Sequence, residues 1–262
     1  MTVQKRTRTQ RQEIEIDAPA ETLWWALTTP EGIATWFVTK AEVEPGRGGK
    51  IRYVWEEMGD MGADAAVEAW EPLRRLLLRG THGEGGPSIL EEWTIESLGG
   101  GRSRLRLVQS GIPEDSSWDG YHESMDRGWR MYLDVMAHAL ARHGRNPRRA
   151  VTVFATLPAG APDPWPRIVG PEGLAVQGDL RTGASVRIST PDGEHAAEVL
   201  DNRPGEILVL RLPEESDRAV VFLVHATRNE SMYWAQVSGW AGDAPDAARF
   251  EPWLRGIAPT TL

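Results

Sequence analysis

The sequence predicts an α+β chain: a curved antiparallel sheet wrapped around a long C-terminal helix, built in two tandem copies with the second degenerate. Three observations carry this. First, five landmarks recur at an offset near 130–140 residues. Thr29-Pro-Glu-Gly-Ile-Ala returns as Gly170-Pro-Glu-Gly-Leu-Ala, and Gly48-Gly-Lys-Ile-Arg-Tyr as Thr182-Gly-Ala-Ser-Val-Arg-Ile. Ala65 to Trp70 returns as Ala196 to Leu200, Pro72 to Leu78 as Pro204 to Leu210, and Val108-Gln-Ser-Gly as Gln236-Val-Ser-Gly. An offset held over five landmarks implies two domains of one architecture, placed at 1–146 and 147–262. Second, strand-length apolar runs are punctuated by Gly and Pro. Third, Ser117 to His143 carries helical periodicity.

Each element follows in order. Gln10 to Ile16 alternates, with Ile14 and Ile16 on one face of a first strand. Asp17 is the expected cap of a helix over Ala18 to about Leu27, with Pro19 in its first turn and Glu21 near its positive end. Thr29-Pro-Glu-Gly starts a second short helix ending near Trp36. Strands are expected near 38–44, 50–56, 64–71, 74–82, 88–96 and 102–109, parted by turns such as Pro45-Gly46, Gly85-Gly86-Pro87 and Gly99-Gly100-Gly101. Strands this close in sequence form an antiparallel meander. The long helix then presents Met125, Trp129, Tyr132, Leu133, Met136 and Leu140 as one apolar stripe, and Gly144 and Pro147 stop it. Gly128 within it costs roughly 1 kcal/mol relative to alanine, which a close approach to the sheet or room for a ligand would explain. The second copy has strands near 151–154, 185–189, 195–200, 206–212, 219–227 and 231–238. Its early helical region is Pro-rich and its closing helix, Asp246 to about Gly256, is only some three turns long.

Composition narrows the function. The net charge of −9 splits as −5 over residues 1–146 and −4 over the rest, which argues against a nucleic-acid partner. No apolar run reaches the ~18 residues of a membrane span. The basic start (Lys5, Arg6, Arg8, Arg11) has no apolar segment behind it and reads as a solvated arm. There are no cysteines, which removes disulfides and thiolate chemistry and fits a cytoplasmic protein. The six histidines (His82, His122, His138, His143, His195, His225) show no zinc spacing and no carboxylate partner placed for catalysis, and His138 and His143, five apart, do not share a helix face. Neither metal nor cofactor is expected: Gly46-Arg-Gly-Gly and Gly99-Gly-Gly are hairpin turns, not phosphate loops. No Gly-x-Ser-x-Gly elbow is present. Arg102, Arg104 and Arg106 read as a solvated or ion-paired row.

Eight of the 12 tryptophans fall within residues 1–135, which implies a heavy aromatic core or an aromatic-lined cavity. Alternation places Ile51, Tyr53 and Trp55 on one face, Ile89, Glu91, Trp93 and Ile95 on another, and Leu105, Leu107 and Gln109 on a third. If these look inward, Tyr53, Glu91 and Gln109 are the few polar groups of a small-molecule pocket; the alternative is a filled core. The expected ligand-binding set is Trp36, Tyr53, Trp55, Glu91, Trp93, Leu107, Gln109, Trp118, Met125, Trp129, Tyr132 and Met136; Trp36, Trp118 and Trp129 either rim the mouth or, as the simpler reading, are helix-packing residues. Removing Trp93 or Trp129 is then expected to abolish uptake while the fold survives.

The element order, with Ile14 to Trp24, Thr28 to Phe37, Pro45 to Ile51, Glu71 to Leu76, Leu105 to Gly111 and the Gly128-Trp129 pair, resembles the SRPBCC (START/Bet-v-like helix-grip) superfamily. Within it the first copy is similar to activator-of-heat-shock-protein-90-ATPase homologues over about residues 10–143. The resemblance implies a helix-grip fold and a cavity between sheet and long helix that often holds an apolar small molecule. It implies no single activity. The expectation is non-catalytic binding of a small hydrophobic or aromatic ligand. The alternatives are a cyclase/aromatase- or hydrolase-like enzyme using Glu91, or a chaperone-interacting module; a homodimer is a further option. Where the family often has His before Ser-Gly, this chain has Gln109.

Overall fold

The computed structural model describes residues 6–59, 61–81, 86–158, 160–226 and 230–258; Lys5, His82 and Gly85, read above, lie outside that set. The chain divides into two units, Met1–Arg145 and Asn146–Leu262. The first contains β1 (Thr7–Ile16), α1 (Ala20–Thr28), α2 (Pro30–Ala34), β2 (Lys40–Val43), β3 (Lys50–Trp55), β4 (Met61–Glu71), β5 (Arg75–Thr81), β6 (Ser88–Gly99), β7 (Arg102–Pro113) and α3 (Asp119–His143). Its seven strands form one antiparallel sheet in the order β1-β7-β6-β5-β4-β3-β2, so the first strand returns to pair with the last. Among the described residues no helix is long and apolar enough to cross a membrane.

The expected stripe is what holds α3. Trp129, Leu133, Met136 and Leu140 are buried, each side chain contributing about 1.5–3 kcal/mol. Asp17 does not cap α1: the cap position is Pro19, whose ring carries no hydrogen-bond acceptor, and the Asp17 carboxylate lies 3.4 Å from Arg102 Nε. That contact closes a charged ladder on the outer face. Arg102 reaches Glu15 at 2.6 Å, Arg104 reaches Glu15 at 2.7 Å and Glu96 at 3.0 Å, and Arg106 reaches Glu13 at 2.6 Å. The basic row is therefore ion-paired within its own sheet. Arg8 is no free arm either, since it lies in β1 and reaches Asp119 at 2.6 Å.

The second unit contains β8 (Arg148–Pro158), α4 (Trp165–Val169), β9 (Ser185–Thr190), β10 (Gly193–Arg203), β11 (Ile207–Leu212), β12 (Arg218–Ala226), β13 (Glu230–Trp240) and α5 (Ala247–Ile257). Its antiparallel sheet runs β8-β13-β12-β11-β10-β9, again with first strand beside last. Its counterpart of β2 is reduced to a single bridge, Gln177 pairing with Arg187 of β9, and α5 has only 11 residues with Pro252 inside it. Phe250, Leu254 and Ile257 of α5 enter the core, and the Tyr233 hydroxyl donates to Leu254 O at 2.9 Å.

The two copies agree in detail. Val67 N donates to Gly49 O at 2.9 Å and Gly48 N to Val67 O at 2.8 Å; Val199 N donates to Ala184 O at 2.9 Å and Gly183 N to Val199 O at 2.8 Å. Each ladder then shifts register, between Val67 and Ala69 in β4–β5 and between Val199 and Asp201 in β10–β11. The Pro-Glu-Gly landmark also has one cause. A Cβ on Gly32 would stand 2.1 Å from Trp25 O, and one on Gly173 2.3 Å from Arg167 O, so both mark glycine-close crossings of the preceding helix.

Candidate ligand-binding site

Register sets the concave face of the first sheet. From the bulge in β4, Val67 pairs with Leu78, Leu78 with Glu91, Glu91 with Gln109 and Gln109 with Gln10. Directly paired residues project from the same face, so these five side chains make one row across five strands. The row starts apolar and ends polar. Gln109 Nε2 donates to Glu91 Oε1 at 2.8 Å, and Gln10 Nε2 donates to Gln109 Oε1. A carboxylate only accepts, so it orients both amides. Gln10 Oε1 is left buried with no partner among the described residues.

Glu91 lies deep enough that burial raises its carboxyl from the ordinary 4.5 to about 7, the Gln109 bond pulling it back only in part. It still keeps accessible surface. Glu91 is therefore largely desolvated without being sealed from solvent. Tyr53 shows the same combination: burial, then the Glu91 charge, raises its hydroxyl. Tyr121, in the first turn of α3, is pushed up to about 12 by the same two causes. The Glu91 charge thus acts on one phenol of the sheet and one of the helix.

The other end of the space beneath α3 is filled by rings. Phe37 meets Trp36, Tyr53, Trp55, Trp129 and Tyr132 with centroids 4.6–5.4 Å apart. Trp93 stands edge-on to Trp129 at 5.3 Å and to Trp36 at 6.1 Å. Trp55 Nε1 donates to the Tyr132 hydroxyl at 3.3 Å. Trp129 Nε1 is buried without a partner among the described residues.

The expected residues therefore separate into two groups. Tyr53, Trp55, Glu91, Trp118, Met125 and Tyr132 keep accessible surface. Trp36, Trp93, Leu107, Gln109, Trp129 and Met136 are buried. Trp36 and Trp129 do not stand at a rim: Trp36 donates its N–H to Ala26 O at 3.0 Å inside the core, and Trp129 stacks on Phe37. Trp118 packs against Tyr121. Gly128 does not mark a close approach, since a Cβ there would meet nothing within 4 Å. Three contributors were not anticipated. Gln10 shares its strand face with Ile14 and Ile16, and Tyr121 lies four residues before Met125 on the α3 stripe, so both were legible in the spacing. Phe37 follows α2 and carries no periodic signal.

Two readings of the histidines are corrected. His195 does have carboxylate neighbours, with Nε2 3.2 Å from Asp192 and Nδ1 3.4 Å from Glu215. The β9–β10 hairpin brings the first into place, and the β11–β12 turn the second. His138 and His143 do meet, ring centroids 5.4 Å apart, because their rings bridge the angular gap that sequence spacing leaves.

The second unit supplies an internal control. Walking its ladder from the equivalent bulge gives Val199–Leu210, Leu210–Val220, Val220–Val237 and Val237–Val151. All five are buried in one apolar core. Where the first unit has Glu91, Gln109 and Gln10, the second has three valines.

Residues 17–141 match the family model described as Activator of Hsp90 ATPase homolog 1-like protein. The N-terminal unit belongs to this family. The matched segment of this Activator of Hsp90 ATPase homolog 1-like unit holds β6, β7 and all but the last two residues of α3, and so Glu91, Gln109 and Tyr121; Gln10 precedes it. No curated protein matches the chain. Among solved structures, protein MLL2253 from Mesorhizobium loti is 25% identical, with 52% of this chain and 98% of that one covered at a TM-score of 0.46. The di-domain ARO/CYC BexL from the BE-7585A biosynthetic pathway is 14% identical, with 95% and 93% covered at 0.48. The Aha1 dimer from Colwellia psychrerythraea is 19% identical, with 52% and 98% covered at 0.45.

Proposed function

We propose that the N-terminal unit binds a small apolar or aromatic molecule beneath α3 without transforming it, its polar group meeting Glu91 and the phenols of Tyr53 and Tyr121. One observation supports this above the others: the same architecture closes the same row with Val220, Val237 and Val151 in the second unit. The fold has no need of polar groups there. Burying two amides and a carboxylate costs several kcal/mol unless each is fully partnered, and Gln10 Oε1 is not. A ligand hydroxyl donating to Glu91 or Gln10 offsets that cost. The ring-filled end around Phe37 and Trp129 then forms the floor of the site, and apolar burial at about 25 cal/mol per Å² supplies most of the affinity.

The test uses the full chain with 2-naphthol and naphthalene as probes, beside native mass spectrometry of freshly purified protein. The double variant Glu91→Val, Gln109→Val copies the second unit's row. The expected result is folded protein with much weaker 2-naphthol binding and little change for naphthalene. Unchanged 2-naphthol binding would remove the inner row from any role.

A second reading has its own support. A carboxyl raised to about 7 by burial is poised for proton transfer near neutral pH. Turnover of a bound phenol or ketone with a pH–rate limb tied to Glu91 would favour a cyclase-like enzyme; a flat profile would leave the binding protein.

A further inference from the structure

A recess of about 500 Å³ lies on the N-terminal unit, lined by none of the inner-row residues. It is walled by Trp24 and Trp25 of α1, Trp70 of β4, Pro30, Pro45 and Arg145. Nothing in the first site accounts for it. The three indoles are half-buried, so each shows part of its ring to the recess. Trp24 and Trp70 meet edge to face at 5.3 Å, a geometry that fixes both rings. Arg145 sits over the Trp25 ring, 5.3 Å from its centroid, and donates to Glu21 O at 3.3 Å.

The polar inventory of this recess is one-sided. The Thr28 hydroxyl donates to Trp24 O at 2.5 Å and the Thr29 hydroxyl to Trp25 O at 2.9 Å, so both protons are spent within α1. Among the described residues the indole N–H groups of Trp24, Trp25 and Trp70 have no partner, and the Arg145 guanidinium has no ion pair. The one acid in the lining, Glu21, is exposed at the edge. Ring faces, N–H donors and a stacked guanidinium suit a flat ligand whose polar end only accepts.

We infer that the recess bounded by Trp24, Trp25, Trp70 and Arg145 is a binding site for a small planar aromatic carboxylate, its ring on the indoles and its carboxylate on Arg145. The volume suits a ligand of two fused rings. This site stands independently of the inner row.

The test titrates the full chain with 2-naphthoate and with naphthalene-2-methanol, following the indole N–H resonances by nuclear magnetic resonance. 2-Naphthoate should shift the Trp24, Trp25 and Trp70 signals and bind more tightly than the alcohol. Arg145→Met should weaken the acid about tenfold or more while changing the alcohol less than about twofold. Trp70→Leu, at a half-buried position, should weaken both while the far-ultraviolet circular dichroism stays that of the wild type. Equal binding of acid and alcohol, an equal loss for both in Arg145→Met, or shifts confined to other tryptophans would overturn the proposal. Shifts of the Trp93 and Trp129 signals in place of those of Trp24, Trp25 and Trp70 would put the acid on the inner row and end the assignment.

Discussion

Glu91→Gln removes a charge from the inner row and keeps an oxygen that accepts from Gln109. The wild-type carboxyl ionises near 7 in the folded chain against an ordinary 4.5. Between those values the folded chain holds a proton that the unfolded chain has released. Stability therefore falls as pH rises through the window from 4.5 to about 7, and is constant above it with respect to this group. At ~1.4 kcal/mol per pK interval the whole effect is about 3 kcal/mol. The variant has no such proton, so it should match wild type near pH 4.5 and exceed it by up to about 3 kcal/mol at pH 8. In melting temperature that is of order 6–12 °C. Urea unfolding of both proteins across this range reads the difference directly. Working with the difference matters, because Glu15 and Glu71, held low by hydrogen bonds from Arg104 and from Arg74 and Arg75, lose stabilisation at acid pH in both proteins alike. A gap that stays constant between pH 5 and 8 would refute the desolvation of Glu91. A variant less stable than wild type at pH 8 would refute the claim that ionisation there is costly.

Three further outcomes are expected. Trp93→Ala or Trp129→Ala should cost about 3–5 kcal/mol in denaturant unfolding, since both rings lie in the packed cluster; a loss below ~1 kcal/mol would mean the cluster is not load-sharing core. Gly128→Ala should stabilise by about 0.5–1 kcal/mol, because the added methyl meets nothing within 4 Å; destabilisation would show that the space there is not free. Arg218→Met should cost about 3 kcal/mol by pulse proteolysis. Arg218 bonds both Asp243 oxygens at 2.6 and 2.8 Å and Asp192 at 2.7 Å, and its loss strands two partly buried carboxylates; an unchanged cleavage midpoint would contradict that.

Much of the fold was legible because its signals are local. The α3 stripe from Trp129 to Leu140 needs only helical spacing, and each strand needs only alternation and a turn residue. The repeat was legible because Pro-Glu-Gly and the Ala-rich strand mark positions where backbone crowding or a bulge restricts the residue. What spacing missed was spatial. Asp17 looked like a cap, but Arg102 holds it from the other end of the sheet. His195 gains Glu215 from a turn some 20 residues on.

By itself, the sequence determined two copies of a sheet-and-helix architecture, and that Glu91 and Gln109 share a face parity with the apolar residues of their strands. Only the tertiary structure decided that those two meet each other and Gln10, that Trp36, Trp93 and Trp129 pack in one buried ring cluster, and that a tryptophan recess opens elsewhere. Alternation assigns a residue to a face, while strand register and ring packing, which depend on distant segments, decide what that face touches.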